Sequence, residues 1–465
     1  MKNNYLKKVV DFVKEKKLIS TLIAATLFIF ASTFWYPFVY VAAAIVACGV
    51  IFFNFNDILC MFLYISIFGL FLVPFIFSIV AGFLTIIIKY IIDLKNKRAE
   101  FLKVPFILTT FISVFYSLVF YEIDSLGIYQ GLMMIGFLYF IYLTVVYRKE
   151  LKIRKCFDYL FLGLFISIVL SLIVYLIPSC QTLVFDDKLG YIMVSLKGRV
   201  AYIDGEYARI TLMSFHVNHL AAFCLFAMAY SSIIVLTRKA HTKKEFIYYI
   251  LMYIINLIVG LLTLSKAFII VFAFEVMITV VYYIMTHKKQ ALKIIGIGFG
   301  VLIFFCIIFR QRFVDIFERF FVYNYDTLLG MITTGRSGIW QQYAYAILES
   351  PLKLLFGFGL FSKEVVLIGP HNFYIFLLYR FGLIGILMLA YLVYSYFISI
   401  KTNPRFSIRY CLILLTFLVI GLQESCMDER FLFFVIGIAL TFLKDRKPEP
   451  ITDKMEVKKI KKNSN

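Results

Sequence analysis

The chain is 465 residues long, 62% hydrophobic and only 16% charged, with a mean hydropathy of +0.91. Soluble proteins carry roughly 25% charged residues, so a water-soluble globular fold is excluded. The formal net charge of +20, from 47 Lys and Arg against 27 Asp and Glu, sits mainly in short loops and the two tails. That is the pattern of positive-inside anchoring and not of a nucleic-acid-binding face.

Taken in order, residues 1–17 form a basic cytoplasmic N-terminus with six Lys and no small-residue cleavage site after the first apolar run, so the first span is expected to be uncleaved. Apolar runs at about 18–34 and 37–53 are joined by Trp35-Tyr36-Pro37. Residues 58–92 read as a hairpin of two short spans broken at Pro74, which keeps the basic stretch 95–98 inside. Further spans at about 104–121, 127–147 and 158–177 complete seven helices over 18–177. An outer loop then covers 178–211, four spans fill 212–309, a large outer loop covers 310–371, and three spans occupy 372–443 before a basic cytoplasmic tail, 444–465. This describes an all-α polytopic membrane protein of twelve to fourteen helices, with about fourteen placing every strongly basic short loop inside. Both termini are then cytoplasmic. Within the large loop, apolar residues recur at helical spacing from Ile339 to Leu348 and Pro351 follows, which predicts a short helix.

Of eight Cys, six lie in or near apolar runs, where Cys is a small buried hydrophobe. Cys180 and Cys426 sit near expected outer loops, and sequence leaves open whether they pair. No Cys/His spacing resembles a zinc site.

Four places carry residues suited to chemistry. Arg336 lies in T-G-R-S-G-I-W within the large loop. An outer Arg is commonly a solvated or headgroup-anchoring residue. Here Gly335 and Gly338 bracket it, Trp340 follows as an interfacial plate, and a guanidinium grips phosphate as a fork. Arg209 stands at the outer start of the next candidate span, in Y-A-R-I-T-L-M-S-F-H-V-N-H-L, where the positive-inside rule gives it no advantage. His216, Asn218 and His219 follow; the two His at i and i+3 share a face, and helix-packing hydrogen bonds are preferred over a metal for want of a third ligand. His371, in P-H-N, is the His on the outer rim and suits proton transfer near neutral pH; the alternative is a helix-entry His beside an Asn cap, Asn372. Lys266, in L-T-L-S-K, lies at the outer turn of a helical hairpin, as an anchor or a phosphate contact. Asp428 and Glu429 beside Arg430 read as structural, and Glu275, inside an apolar run, should face protein or water.

Together, Y-x-R-I-T-x-x-x-x-x-x-N-x-x-A, L-T-x-S-K, T-G-R-x-x-I-W, P-x-x-x-x-x-G-x-G and H-N-x-Y-x-x-x-L-x-x-x-G-x-x-G resemble the O-antigen ligase and Wzy-type polysaccharide polymerase superfamily, from about Arg209 to Gly385. The resemblance implies a GT-C-like membrane glycosyltransferase that uses neither metal nor cofactor and works on the outer face of the bacterial inner membrane. Its donor and acceptor would be glycans on undecaprenyl diphosphate. It further implies that Arg336 and Arg209 hold the diphosphate, that His371 is general base or orienter, and that Lys266, Trp340, Asn372 and Asn218 line the substrate site. Lys266 stands where the family more often has Arg, which keeps the charge and loses the bidentate grip. Polymerase is preferred over ligase transferring the glycan to lipid A-core. A lipid-linked sugar flippase or exporter is the alternative of another class, and would place charges along a central path through several spans. Membrane lipids, a chain-length regulator and a flippase of the same pathway are the expected partners, and nucleic acid is not.

Overall fold

The fold is taken from a computed structural model that describes residues 17–65, 67–68, 105–123, 152–177, 179–186, 190–204, 207–213, 216–236, 242–286, scattered positions between 296 and 318, 336–363, 369–402 and 411–422. It is mostly helical. The helices are α1 (Lys17–Ser32), α2 (Phe38–Phe52), α3 (Phe55–Ile65), α4 (Pro105–Phe120), α5 (Ile153–Leu176), α6 (Leu196–Val200), α7 (Val217–Leu236), α8 (Lys243–Leu262), α9 (Lys266–Thr286), α10 (Ser337–Leu348), α11 (Pro351–Phe356), α12 (Phe373–Thr402) and α13 (Cys411–Ile420). Among the described residues four segments, Arg154–Leu176, Val217–Val235, Lys243–Leu262 and Phe373–Tyr391, are long and apolar enough to cross a bilayer. The expected hairpin at Pro74, the spans at 127–147 and 431–443, Cys426 and the acidic turn 428–430 lie outside the described residues. Cys180 is a buried free thiol.

Two differences from the sequence reading stand out. The outer loop 178–211 is not bare: it contains two antiparallel hairpins, β1 (Gln181–Asp186) with β2 (Gly190–Ser195) and β3 (Ala201–Asp204) with β4 (Tyr207–Ile210), separated by α6. In addition, the described positions between 296 and 318 are helical, and five of them, 310, 311, 314, 315 and 318, lie beyond Phe309, where the eleventh span was expected to end.

The core is a bundle around α7, whose residues are buried on nearly every side. Its Ala221, Ala222, Ala227 and Ala229 let neighbouring helices approach closely, the usual device where lipid offers no hydrophobic drive. α7 packs against α8, α9 and α13, while α3 packs on α5 and α1 on α2. Hydrogen bonds place the helix ends. At one end, Gln181 N donates to Thr33 O (3.1 Å), Leu196 N to Cys180 O (3.0 Å) and Thr211 N to Val200 O (3.1 Å). The α1–α2 turn, the end of α5, both hairpins and the start of α7 therefore share this strand-bearing end.

At the opposite end, Lys152 N donates to Asn56 Oδ1 (2.7 Å) and Lys155 pairs with Asp57 (2.7 Å). Arg154 there pairs with Glu245 (2.9 Å) and also donates to the Tyr249 hydroxyl, which in turn donates to Asp158. The α8 start is closed by a capping box between Thr242 and Glu245. Glu275 of α9, 3% exposed, accepts a hydrogen bond from the Thr416 hydroxyl of α13 (2.7 Å), so it faces protein as its cost in lipid requires.

Candidate functional site

The site residues fall into two groups, of which the first lies at the strand-bearing end. It is built on Arg209. β4 carries it, opposite Tyr202 of β3, to the top of α8. There its Nε donates to Thr263 O (2.9 Å) and its Nη2 to Asn218 Oδ1 (3.5 Å). Thr263 is the C-cap of α8, and a helix C-terminus is the end whose orphan carbonyls and partial negative charge suit a cation. Asn218 Oδ1 also accepts from Ser265 Oγ (3.1 Å). The amide of Asn218 donates to His216 Nδ1 (3.2 Å), so His216 serves as a cap for α7, with the His219 ring 5.4 Å away. Lys266 follows Ser265 as the first residue of α9. Both cations are buried, Arg209 at 6% exposure and Lys266 at 7%.

A helix N-terminus presents N–H groups and partial positive charge. Placing Lys266 on it, with Arg209 bonded into the same turn, concentrates positive charge in a sheltered spot. Asn218 is a positioning residue in this arrangement, since its one carbonyl oxygen ties Arg209 to Ser265.

The second group is built on the loop-to-helix turn at Pro370-His371-Asn372. Asn372 caps α12, its Oδ1 accepting from Tyr374 N (3.0 Å) and Ile375 N (3.1 Å). Its Nδ2 donates to Leu422 O (3.0 Å), beside a bond from Phe373 N to Gly421 O (2.8 Å). Trp340 Nε1 donates to Pro370 O (2.7 Å), which docks α10 against this turn. Arg336 is the N-cap of α10, half-buried, with its carbonyl accepting from Trp340 N (3.0 Å). Through these bonds Arg336 and His371 are held at the same mouth. Asn372 and Trp340, expected to touch substrate, hold the scaffold here. α13 links the groups: it packs on α7 and α9, and its C-terminal end carries Gly421 and Leu422.

A Cβ on Gly338 would meet no protein atom within 4 Å, and Gly335 lies outside the described residues. The close approach is made by Gly357, at φ +72°, and by Gly382, at φ +62° inside α12. Gly382 breaks the α12 ladder and leaves Tyr379 O and Arg380 O to accept from Phe358 N (2.7 Å) and Gly359 N (3.0 Å). A Cβ on Gly382 would lie 2.3 Å from Leu355 O, and one on Gly357 2.5 Å from Tyr379 O. Gly357 and Gly382 each admit a close approach of protein backbone.

Arg380 completes this crossing and was missed from sequence. Its side chain is 1% exposed and donates to Ser362 O (3.0 Å), Ser362 Oγ (3.2 Å) and Gly359 O (3.5 Å). Helix carbonyls thus receive loop amides, and a helix guanidinium receives loop carbonyls, which satisfies irregular backbone that the bilayer would not tolerate bare. The signal was legible: an Arg inside F-L-L-Y-R-F-G-L-I-G, costly in a span unless it has a task.

Against protein-family models, curated proteins and solved structures, the chain finds no match.

One further observation ties the groups together. Three non-glycine residues have positive φ among the described residues: Leu212 (+51°), Leu264 (+50°) and His371 (+46°). Each stands close in sequence to a candidate, three residues after Arg209, two before Lys266, and at His371 itself. Such backbone costs about 1–3 kcal/mol per residue and persists where surrounding structure enforces it, often at functional sites. Leu212 and Leu264 flank the first group and His371 belongs to the second.

Proposed function

We propose that the chain is a bacterial membrane glycosyltransferase that polymerises lipid-linked oligosaccharide repeat units at its strand-bearing end. In this reading a glycan on undecaprenyl diphosphate is the donor, and the sugar of the next lipid-linked unit is the acceptor. The observation that carries the reading is the pair of buried cations, Arg209 and Lys266, at the α9 N-terminus. A diphosphate leaving group develops negative charge as the glycosidic bond breaks, and preorganised donors stabilise that charge without reorganisation. Arg209 is preorganised by Thr263 and Asn218. Arg336 supplies a second fork from the α10 cap, and His371 receives the proton of the attacking hydroxyl, whose oxygen bonds to the donor's anomeric carbon as the lipid diphosphate departs. With the diphosphate's charge offset by Arg and Lys, the reaction is expected to proceed without a divalent ion.

The positive-inside rule supports placing this end outside. Residues 148–155 and 237–244 supply basic loops flanking the opposite end. A transport reading expects charges spaced along a path, and the described buried charges argue against one: Arg380 is bonded to Ser362 and Gly359, and Glu275 to Thr416.

The test is polymerisation by the purified protein, in detergent with EDTA, of an undecaprenyl-diphosphate repeat unit. A ladder of products that disappears in Arg336→Ala is expected. Transfer to added lipid A-core in place of a ladder would make the protein a ligase, and neither product from folded protein would overturn the reading.

A further inference from the structure

The pair α10–α11 has two apolar faces, and only one of them is used within the protein. Tyr343 and Ile347 are buried, with the Tyr343 ring edge-on to Tyr379 of α12 at 4.9 Å. On the other side Tyr345 (69% exposed) and Leu348 (65%) of α10 and Leu352 and Leu355 of α11 are bare, the two short helices being separated by the extended Ser350. The exposed surface of α10 also carries Gln342, Glu349 and Gln341, whose Nε2 donates to the Tyr345 hydroxyl (3.2 Å). A helix in water has no reason to keep two apolar faces and a polar flank between them; a helix at the edge of a bilayer does.

The surroundings identify what covers the stripe. α11 packs between α12 and α4. Its Phe356 ring lies 5.3 Å from Tyr116 of α4, and the loop after it bonds to Tyr379 O and Arg380 O of α12. Arg380 is seven residues into α12, so this crossing lies about 10 Å below the helix mouth at 1.5 Å rise per residue, within a hydrocarbon leaflet of roughly 15 Å. The first turns of α12 belong to a segment apolar and long enough to span, and Leu387 on it is bare, as are Phe115 and Leu118 on α4. On a spanning helix such bare apolar side chains are expected to meet lipid. Leu352 and Leu355 stand on α11, which meets α12 at this crossing.

We propose that α10–α11 is a membrane-seated helix pair whose Tyr345–Leu348–Leu352–Leu355 stripe docks into the acyl chains of the leaflet at the strand-bearing end, with the Gln342–Glu349 flank in water. The large loop is then a partly immersed element and not a soluble cap. Its seating fixes the height of Arg336 at the headgroup level, because Arg336 caps α10 and Trp340 bonds to the mouth of α12. This inference concerns the lipid contact alone and stands whatever reaction the protein performs.

The experiment places a small fluorescent amino acid by amber suppression at position 352, at 355, or at 342 in the full-length protein in lipid nanodiscs. Quenching is then compared for brominated acyl chains and for aqueous iodide. Positions 352 and 355 should be quenched several-fold more by brominated lipid than position 342, with the order reversed for iodide. Iodide quenching of 352 and 355 without lipid quenching would mean a solvated loop and overturn the proposal. Protection of both positions from both quenchers would mean that protein covers the stripe, a second copy or another chain, and would equally overturn it.

Discussion

Arg209 shows how a single side chain acquires a task from its neighbours. Sequence singled it out as an Arg on the face where the positive-inside rule does not favour one, and the resemblance of Y-A-R-I-T to a family motif added a diphosphate contact as an expectation. The bonds to Thr263 O and Asn218 Oδ1 fix its plane. Loss of a preorganised donor of this kind typically costs about 10²–10³ in rate, so Arg209→Lys should lower turnover by about that factor while the protein remains folded. Turnover rates of repeat-unit transfer check this, and full activity would remove Arg209 from the site. Asn218→Leu, which leaves Arg209 and Ser265 without their shared acceptor, should lower the rate less than Arg209→Ala does, and should do so through turnover more than through apparent affinity. Lys266 was legible as a charge only; its place on a helix N-terminus beside Arg209 arises from tertiary structure. His371 was legible as a rim histidine, yet its positive φ is a backbone property that P-H-N does not announce.

At the scale of elements, the helices were readable because a continuous apolar run has few alternatives in a membrane. The helix over 339–348 followed from apolar spacing and Pro351, and α10 runs Ser337–Leu348. The hairpins in 181–210 were not read, although Q-T-L-V-F-D and G-Y-I-M-V-S carry the β-branched and aromatic residues of strands around a D-K-L turn. The eye for long apolar runs passes over six-residue strands. The Gly357–Gly382 crossing was half legible: its glycines stood out as motif positions, but sequence does not say which backbone a glycine makes room for. Gly382→Ala should be costly on two counts, positive φ and a Cβ 2.3 Å from Leu355 O. We expect a loss of about 2–5 kcal/mol from strain and overpacking together, measured as a fall in unfolding temperature in detergent; a temperature equal to wild type would contradict the crossing. Arg380→Met, which leaves Ser362 O and Gly359 O short of donors, should destabilise in the same assay, since an unsatisfied buried acceptor costs about 1–3 kcal/mol.

For the whole molecule, one end holds strands, strained residues and buried cations, and the other holds ion pairs such as Arg154–Glu245 and Lys155–Asp57. Between them Glu275 and Thr416 tie α9, which begins at Lys266, to α13, whose far end bonds to Asn372 and Phe373. Thr416→Val should weaken this tie by about 0.6–1.7 kcal/mol, the range for interhelical hydrogen bonds in membranes, whereas Glu275→Gln, which keeps an acceptor for Thr416, should stay near wild type. Thermal unfolding of the two variants decides this, and equal stability of both would dismiss the tie. The central claim, that the cationic turn at the start of α9 is a diphosphate site, is tested most directly by binding. Purified protein in nanodiscs would be titrated with undecaprenyl diphosphate and, separately, with undecaprenyl monophosphate. Wild type should bind the diphosphate more tightly, and Arg209→Ala should lose at least about tenfold of that affinity, or about 1.4 kcal/mol, while binding the monophosphate nearly as wild type does. Equal affinity of wild type for both lipids, unchanged by Arg209→Ala, would contradict the account.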